Sequence, residues 1–173
     1  KKYAENISQL ALANVDFDMQ NRHHISYNLM MIHANTQSVG DYNGKNSIFS
    51  DDYENLGFTR RQQTNDNMLI VNQLMTNWGL TKSLSLDAGA SYNMVKGYEP
   101  DRRINNLTKA EDGYTLLRGN SQQRYFSTLD EDDLNVKAGL VYRLKDNIEE
   151  ISNVRFGYTG RFVDDNFKAT EYN

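Results

Sequence analysis

The chain contains no cysteine, which excludes a disulfide framework and any thiolate nucleophile or metal site. That absence also suits a protein that crosses an oxidising compartment. Long apolar runs are missing too. The longest, such as Met68-Leu69-Ile70-Val71, are a few residues, whereas a membrane helix needs about 18 to 20. Positive charge does not dominate: 19 Lys and Arg stand against 23 Asp and Glu, a net charge of −4. Nucleic-acid binders are normally basic, so no nucleic-acid partner is expected. Hydrophobic residues make up 38% and the mean hydropathy is −0.76, low for a large packed core. Proline occurs once, as Pro100. No secretory signal is visible at Lys1, so the expectation is a mature chain or a fragment.

What the chain does have is aromatics, with 11 Tyr, 7 Phe and one Trp, and a hydrophobic period of two. Leu84, Leu86, Ala88, Ala90, Tyr92 and Met94 alternate with Ser85, Asp87, Gly89, Ser91 and Asn93. Leu134, Val136, Ala138, Leu140, Tyr142 and Leu144 alternate with Asn135, Lys137, Gly139 and Arg143, Val141 being the exception. Val154, Phe156, Tyr158 and Phe162 oppose Arg155, Gly157, Thr159 and Arg161, and Ile25, Tyr27, Leu29 and Met31 oppose Ser26 and Asn28. Successive strand side chains point to opposite faces, so these segments define a sheet with one apolar and one polar side. Two less tidy strands, Ile7 to Phe17 and Met68 to Trp78, carry Leu10, Leu12, Leu69 and Val71 on the other face as well. The pattern Leu84-x-Leu86-x-Ala88-Gly89-x-x-Tyr92 recurs as Leu134-x-Val136-x-Ala138-Gly139-x-x-Tyr142. Shared strand grammar explains this repeat better than duplication.

The connections alternate short and long. Strands are expected near 6–18, 24–37, 64–78, 84–96, 133–144 and 153–164, with long loops near 38–63 and 97–132 and turn chemistry at Asp41-Tyr42-Asn43-Gly44. Short turns on one side and long loops on the other mark an up-and-down membrane barrel. Each strand offers the 9 to 11 or so residues that a tilted crossing needs. Phe17, Trp78 and Tyr142 fall toward the short turns and Tyr92 toward a long loop, as in aromatic girdles. The expected fold is therefore all-β. It is an antiparallel up-and-down meander of about six strands, with residues 1–173 forming part of a larger transmembrane β-barrel. Six strands are too few to close one, and an open edge is not tolerated in lipid. A lipid-facing set follows: Leu84, Leu86, Tyr92, Leu134, Val136, Leu140, Tyr142, Phe156, Tyr158 and Phe162. Asp87, Lys137, Arg143, Arg155 and Arg161 would line a wet interior or touch a plug within it, a structural role either way. Two other readings stay open: a soluble all-β binding or structural module, and another outer-membrane barrel such as a porin.

The stretch Gly97-Tyr98-Glu99-Pro100-Asp101-Arg102-Arg103-Ile104-Asn105, then Gln123-Arg124-Tyr125-Phe126-Ser127 and Glu131-Asp132-Asp133-Leu134-Asn135, resembles the barrel region of TonB-dependent outer-membrane receptors. The resemblance implies a 22-stranded barrel, an N-terminal plug and a TonB box in a Gram-negative outer membrane. The plug and box are missing here, so a fragment of a longer parent is expected. Loops of such receptors bind a scarce solute, an iron chelate or glycan for example. Energy relayed by TonB through the plug then drives uptake. Outer-membrane lipid, TonB and the solute are the implied partners, and a surface lipoprotein cap is left open.

Recognition chemistry is richest at Tyr98, Arg102, Arg103, Tyr114, Arg118, Arg124 and Tyr125. Arg forks suit carboxylate or phosphate, and Tyr stacks on sugars. The competing reading is a loop held by its own ion pairs to Glu99, Asp101 and Asp112. His23-His24 reads as a solvated turn, because adjacent strand residues splay apart, and His33 reads as structural. Asp130-Glu131-Asp132-Asp133 could supply calcium oxygens, but the spacing matches no EF-hand, and a solvated loop end or a lipopolysaccharide-associated cation site is favoured. No nucleophile elbow or phosphate loop is present. No enzyme activity, cofactor or metal is expected.

Overall fold

A computed structural model describes residues 1–19, 22–45, 56–116, 122–147 and 150–173. The chain forms β1 (Lys2–Met19), β2 (His23–Lys45), β3 (Leu56–Gly79), β4 (Leu84–Ala110), β5 (Gly113–Leu116), β6 (Gln122–Asn147) and β7 (Glu150–Tyr172). All pairings are antiparallel in one sheet ordered β1-β2-β3-β4-β6-β7, with the short β5 folded back on β4. The fold is thus an all-β meander, as the period of two implies. The sheet is open, with β1 and β7 at its edges.

The registers align side chains in rows across six strands. Met19, His23, Trp78, Leu86, Leu140 and Phe156 stand in one row. Two residues further from the short turns come Phe17, Ile25, Thr76, Ala88, Ala138 and Tyr158. Then come Val15, Tyr27, Leu74, Ala90, Val136 and Gly160, followed by Ala13, Leu29, Asn72, Tyr92, Leu134 and Phe162. Rows between these hold the opposite face, for example Asn14, Asn28, Gln73, Ser91, Asn135 and Arg161. Side-chain contacts keep to this parity. Tyr27 Oη donates to Asn72 (2.9 Å) on the apolar face, and Arg161 donates to Asp133 on the polar one (3.1 and 3.2 Å).

The expected loops need correction. Much of 38–63 and of 97–132 is strand, because β2 runs on to Lys45, β3 begins at Leu56, β4 reaches Ala110 and β6 begins at Gln122. The turn expected at Asp41–Gly44 is strand paired with Gly57–Arg60. The physical reason is that from Lys96 onward both faces carry polar residues. The ladder continues there while the hydrophobic alternation that reveals it stops.

The sheet has almost no core. Among the described residues Val141 is the one buried hydrophobic side chain, and Phe156 is 80% exposed. The accessible surface is 12893 Å² for 20.0 kDa, against about 8,700 Å² for a compact monomer of that mass. Backbone pairing alone does not stabilise a chain against its conformational entropy. The exposed apolar face must be covered by something outside these residues.

Candidate functional site

The ten residues of the expected lipid-facing set all fall on one face of the sheet, in the rows given above or in the Leu84–Tyr142–Val154 row beside the short turns. On β4 the apolar stripe runs from Leu84 to Met94. Ten steps of about 3.3 Å make about 33 Å along the strand, or about 25 Å in height at a barrel tilt near 40°. Polar groups within the stripe bond internally. Thr76 Oγ1 donates to His24 O (3.0 Å), Asn72 accepts from Tyr27 and donates to Tyr92 O (3.3 Å), and Tyr92 Oη donates to Asp132 (2.8 Å). His23 packs against Trp78 with ring centroids 4.7 Å apart and the planes tilted by 47°, at the end of the stripe near the short turns. Tyr142 and Tyr92 come from the two copies of the sequence repeat. Because β4 and β6 run antiparallel, the repeat places these two rings at opposite ends of the stripe.

Above the stripe β4 carries one residue more than either neighbour. Tyr98 pairs with Asp66 and Arg103 with Gln62 on β3, while Glu99 pairs with Ser127 and Arg102 with Tyr125 on β6. The extra residue lies at Pro100–Asp101. A bulge is where an interior strand accepts proline. It also reverses the facing of everything beyond it, and so divides the recognition residues. Arg102 and Tyr125 share the polar face, the guanidinium 4.2 Å from the ring centroid, with Glu99 Oε1 3.7 Å from Arg102 Nε. Tyr98, Arg103 and Arg124 share the other face. Asp101 accepts there from Arg103 Nε (2.5 Å) and from Arg124 Nε and Nη2 (3.2 and 2.9 Å). Arg124 covers Phe126 at 5.3 Å, and Phe126 meets Tyr172 edge-on at 6.0 Å. Tyr114, on β5, packs against Phe58 at 5.7 Å. Arg118 lies outside the described residues. The seven do not converge on one ligand site. The intramolecular pairing weighed from the sequence holds for Arg102, Arg103 and Arg124.

The Arg124 guanidinium holds the Asp101 carboxyl below its ordinary value of 3.8, with Arg103 adding to the effect and partial burial opposing it. A depressed carboxylate contributes stability above its unfolded value and loses it as pH falls through its folded value. The pairing is therefore present at neutral pH and is released only as acidification carries the pH below the carboxyl's ordinary value of 3.8. Carboxyl NMR should show Asp101 titrating below 3.8, and Arg124→Ala should move that midpoint upward. An unmoved midpoint would contradict the assignment.

The polar face carries the residues expected to line a wet interior. Arg161 pairs with Asp133, which also accepts from Asn135 (3.0 Å). Asp87 accepts from Asn77. Lys137, Arg143 and Arg155 form no salt bridge among the described residues. Leu10, Leu12, Leu69 and Val71, out of pattern in the sequence, join Met30, Ile32 and Val95 in two neighbouring rows of this face. His23 and His24 begin β2 rather than occupying a turn, and they diverge. His24 lies between Asp18 (2.8 Å) and Asp16 (3.6 Å) on the polar face, opposite in direction to His23. His33 binds Asp66 at 2.5 Å. The acidic run Asp130–Asp133 is strand rather than loop end, so its carboxylates alternate between faces.

No family model and no curated protein matches the chain.

Proposed function

We propose that the chain is a wall segment of a Gram-negative outer-membrane β-barrel, and that its parent is a TonB-dependent receptor importing a scarce solute. The observation that carries the first part is the uncovered apolar stripe. Its height of about 25 Å fits the lipid-facing band of such barrels, aromatic rings stand at both ends, and a wet polar face lies behind it. A soluble module would need a second layer over that stripe. The receptor reading rests on the resemblance of the segments around Gly97–Asn105 and Gln123–Asn135.

Two measurements test these parts separately. The full-length parent should fractionate with the outer membrane and fold only with detergent or lipid. A cooperative monomer in plain buffer would contradict the barrel. Uptake through the parent should stop when the inner-membrane proton gradient is collapsed. Uptake that persists, with passive conductance, would leave a porin instead.

A further inference from the structure

The polar face is not polar throughout. Leu10, Ile32, Leu69 and Val95 stand side by side in one of its rows, and Leu12, Met30 and Val71 in the next row toward the short turns. The patch spans three strand spacings, about 14 Å, and two rows about 7 Å apart. Its borders are wet. Asn14, Asn28, Gln73 and Ser91 form the row below, and Ser8 and Asn67 stand in the row above. At the same height the opposite face carries Ala11, Met31, Ile70 and Met94. The two faces together make the continuous runs Leu10–Leu12, Leu29–Ile32 and Met68–Val71. A short run that is apolar on both faces is the pattern of a strand covered on both. Lipid on the stripe accounts for one cover only.

On β6 and β7 the row of Leu10 and Val95 ends in Glu131 directly opposite Asp165. Like charges so placed destabilise a strand pair. The same-face neighbours of Glu131 are Val95, Asp165, Leu129 and Asp133, and none is a cation. Arg161, two rows lower, is forked on Asp133. We infer that the patch is the footprint of a protein element held within the barrel. That element lays apolar side chains on β1–β4 and brings Lys or Arg to Glu131 and Asp165. An apolar centre with a polar rim is the anatomy of a protein–protein contact. A lipid tail would need an apolar path to the patch, which the bordering amides and hydroxyls deny. A passing solute would leave it wet between visits. The inference rests on the barrel reading, which makes this face the interior wall. It deepens that reading by giving the protein inside the wall a resting place and a rim charge.

The test uses the full-length parent in its membrane, with the photo-crosslinking residue p-benzoylphenylalanine in place of Leu69, in the patch, or of Leu74, on the stripe. The probe at position 69 should capture a peptide of the parent from outside residues 1–173, identified by mass spectrometry. The probe at position 74 should capture lipid. Glu131→Lys/Asp165→Lys should lower the yield at position 69 at least threefold, and Glu131→Asp/Asp165→Glu should preserve it. Yields are compared among variants that keep the unheated gel mobility of the folded barrel. If the Lys pair does not fold, Glu131→Gln/Asp165→Asn, which keeps the side-chain shapes, should lower the yield about twofold. Lipid alone at position 69, no captured peptide, or one from within residues 1–173 overturns the inference. A yield indifferent to these charge replacements overturns its basic rim. The probe at position 74 separates such a failure from failure of the barrel. Lipid there, with no peptide at position 69, leaves the barrel standing. Protein at position 74 with lipid at position 69 reverses the faces, and both readings fall.

Discussion

Replacing Leu74 by Arg is expected to destabilise the full-length protein in bilayers by about 2–4 kcal/mol, the cost of a cation at mid-height on a lipid face. Leu74 is half exposed and stands in the row of Val15, Tyr27, Ala90 and Val136, near the middle of the stripe. Its chain neighbour Gln73 belongs to the opposite face, beside Asn28 and Ser91. Gln73→Lys should therefore change stability by no more than about 0.5 kcal/mol. The contrast matters because Leu74 makes little contact within the chain. On a water-exposed surface Leu74→Arg would also fall within about 0.5 kcal/mol. Denaturant titration of bilayer-folded protein measures both variants, and equal effects would contradict the assignment of faces.

Gly157→Val is expected to cost about 1–3 kcal/mol, the range for overpacking, through a different cause. A Cβ at Gly157 would lie 2.9 Å from Ala138 O and 3.2 Å from Gly139 Cα. Both are backbone atoms of the paired strand, so they cannot rotate away, and β6 and β7 would have to separate. Gly139→Ala, one strand over in the same row, meets nothing nearer than 3.7 Å and should be neutral or stabilising by up to about 1 kcal/mol. Comparable losses for the two variants would show that this close approach is not what the pairing requires.

The strands were legible where one face is apolar and the other wet. Leu84 to Met94 and Leu134 to Leu144 declare themselves by alternation alone, and their registers set the same residues side by side. Legibility ended where the contrast did. From Lys96 to Ala110 the strand continues through Tyr98, Asn105 and Asn106, with polar residues on both faces and no period left to read. The candidate site suffered from a subtler loss. Plain alternation puts Tyr98 and Arg102 on the same side and Arg103 opposite. The extra residue at Pro100–Asp101 reverses this, so Arg102 meets Tyr125 while Arg103 joins Arg124 on Asp101. The lone proline was a visible hint, since an interior strand accepts one chiefly at a bulge. The count of residues across the gap needs the neighbouring strands. The same holds for Leu10, Leu12, Leu69 and Val71. Each looked like noise within its own strand, and only the register shows one apolar patch shared by β1 to β4.

The central claim is that one face of this sheet meets lipid and the other meets water. Spin labels placed singly from Leu84 to Met94 test it most directly, read by collisional relaxation with oxygen and with a water-soluble nickel chelate. Labels at Leu86, Ala88, Ala90 and Tyr92 should favour oxygen, most strongly near Ala88 and Ala90, and labels at Ser85, Asp87, Gly89 and Ser91 should favour nickel. A nickel accessibility equal on both faces, or one without a period of two, would contradict the account.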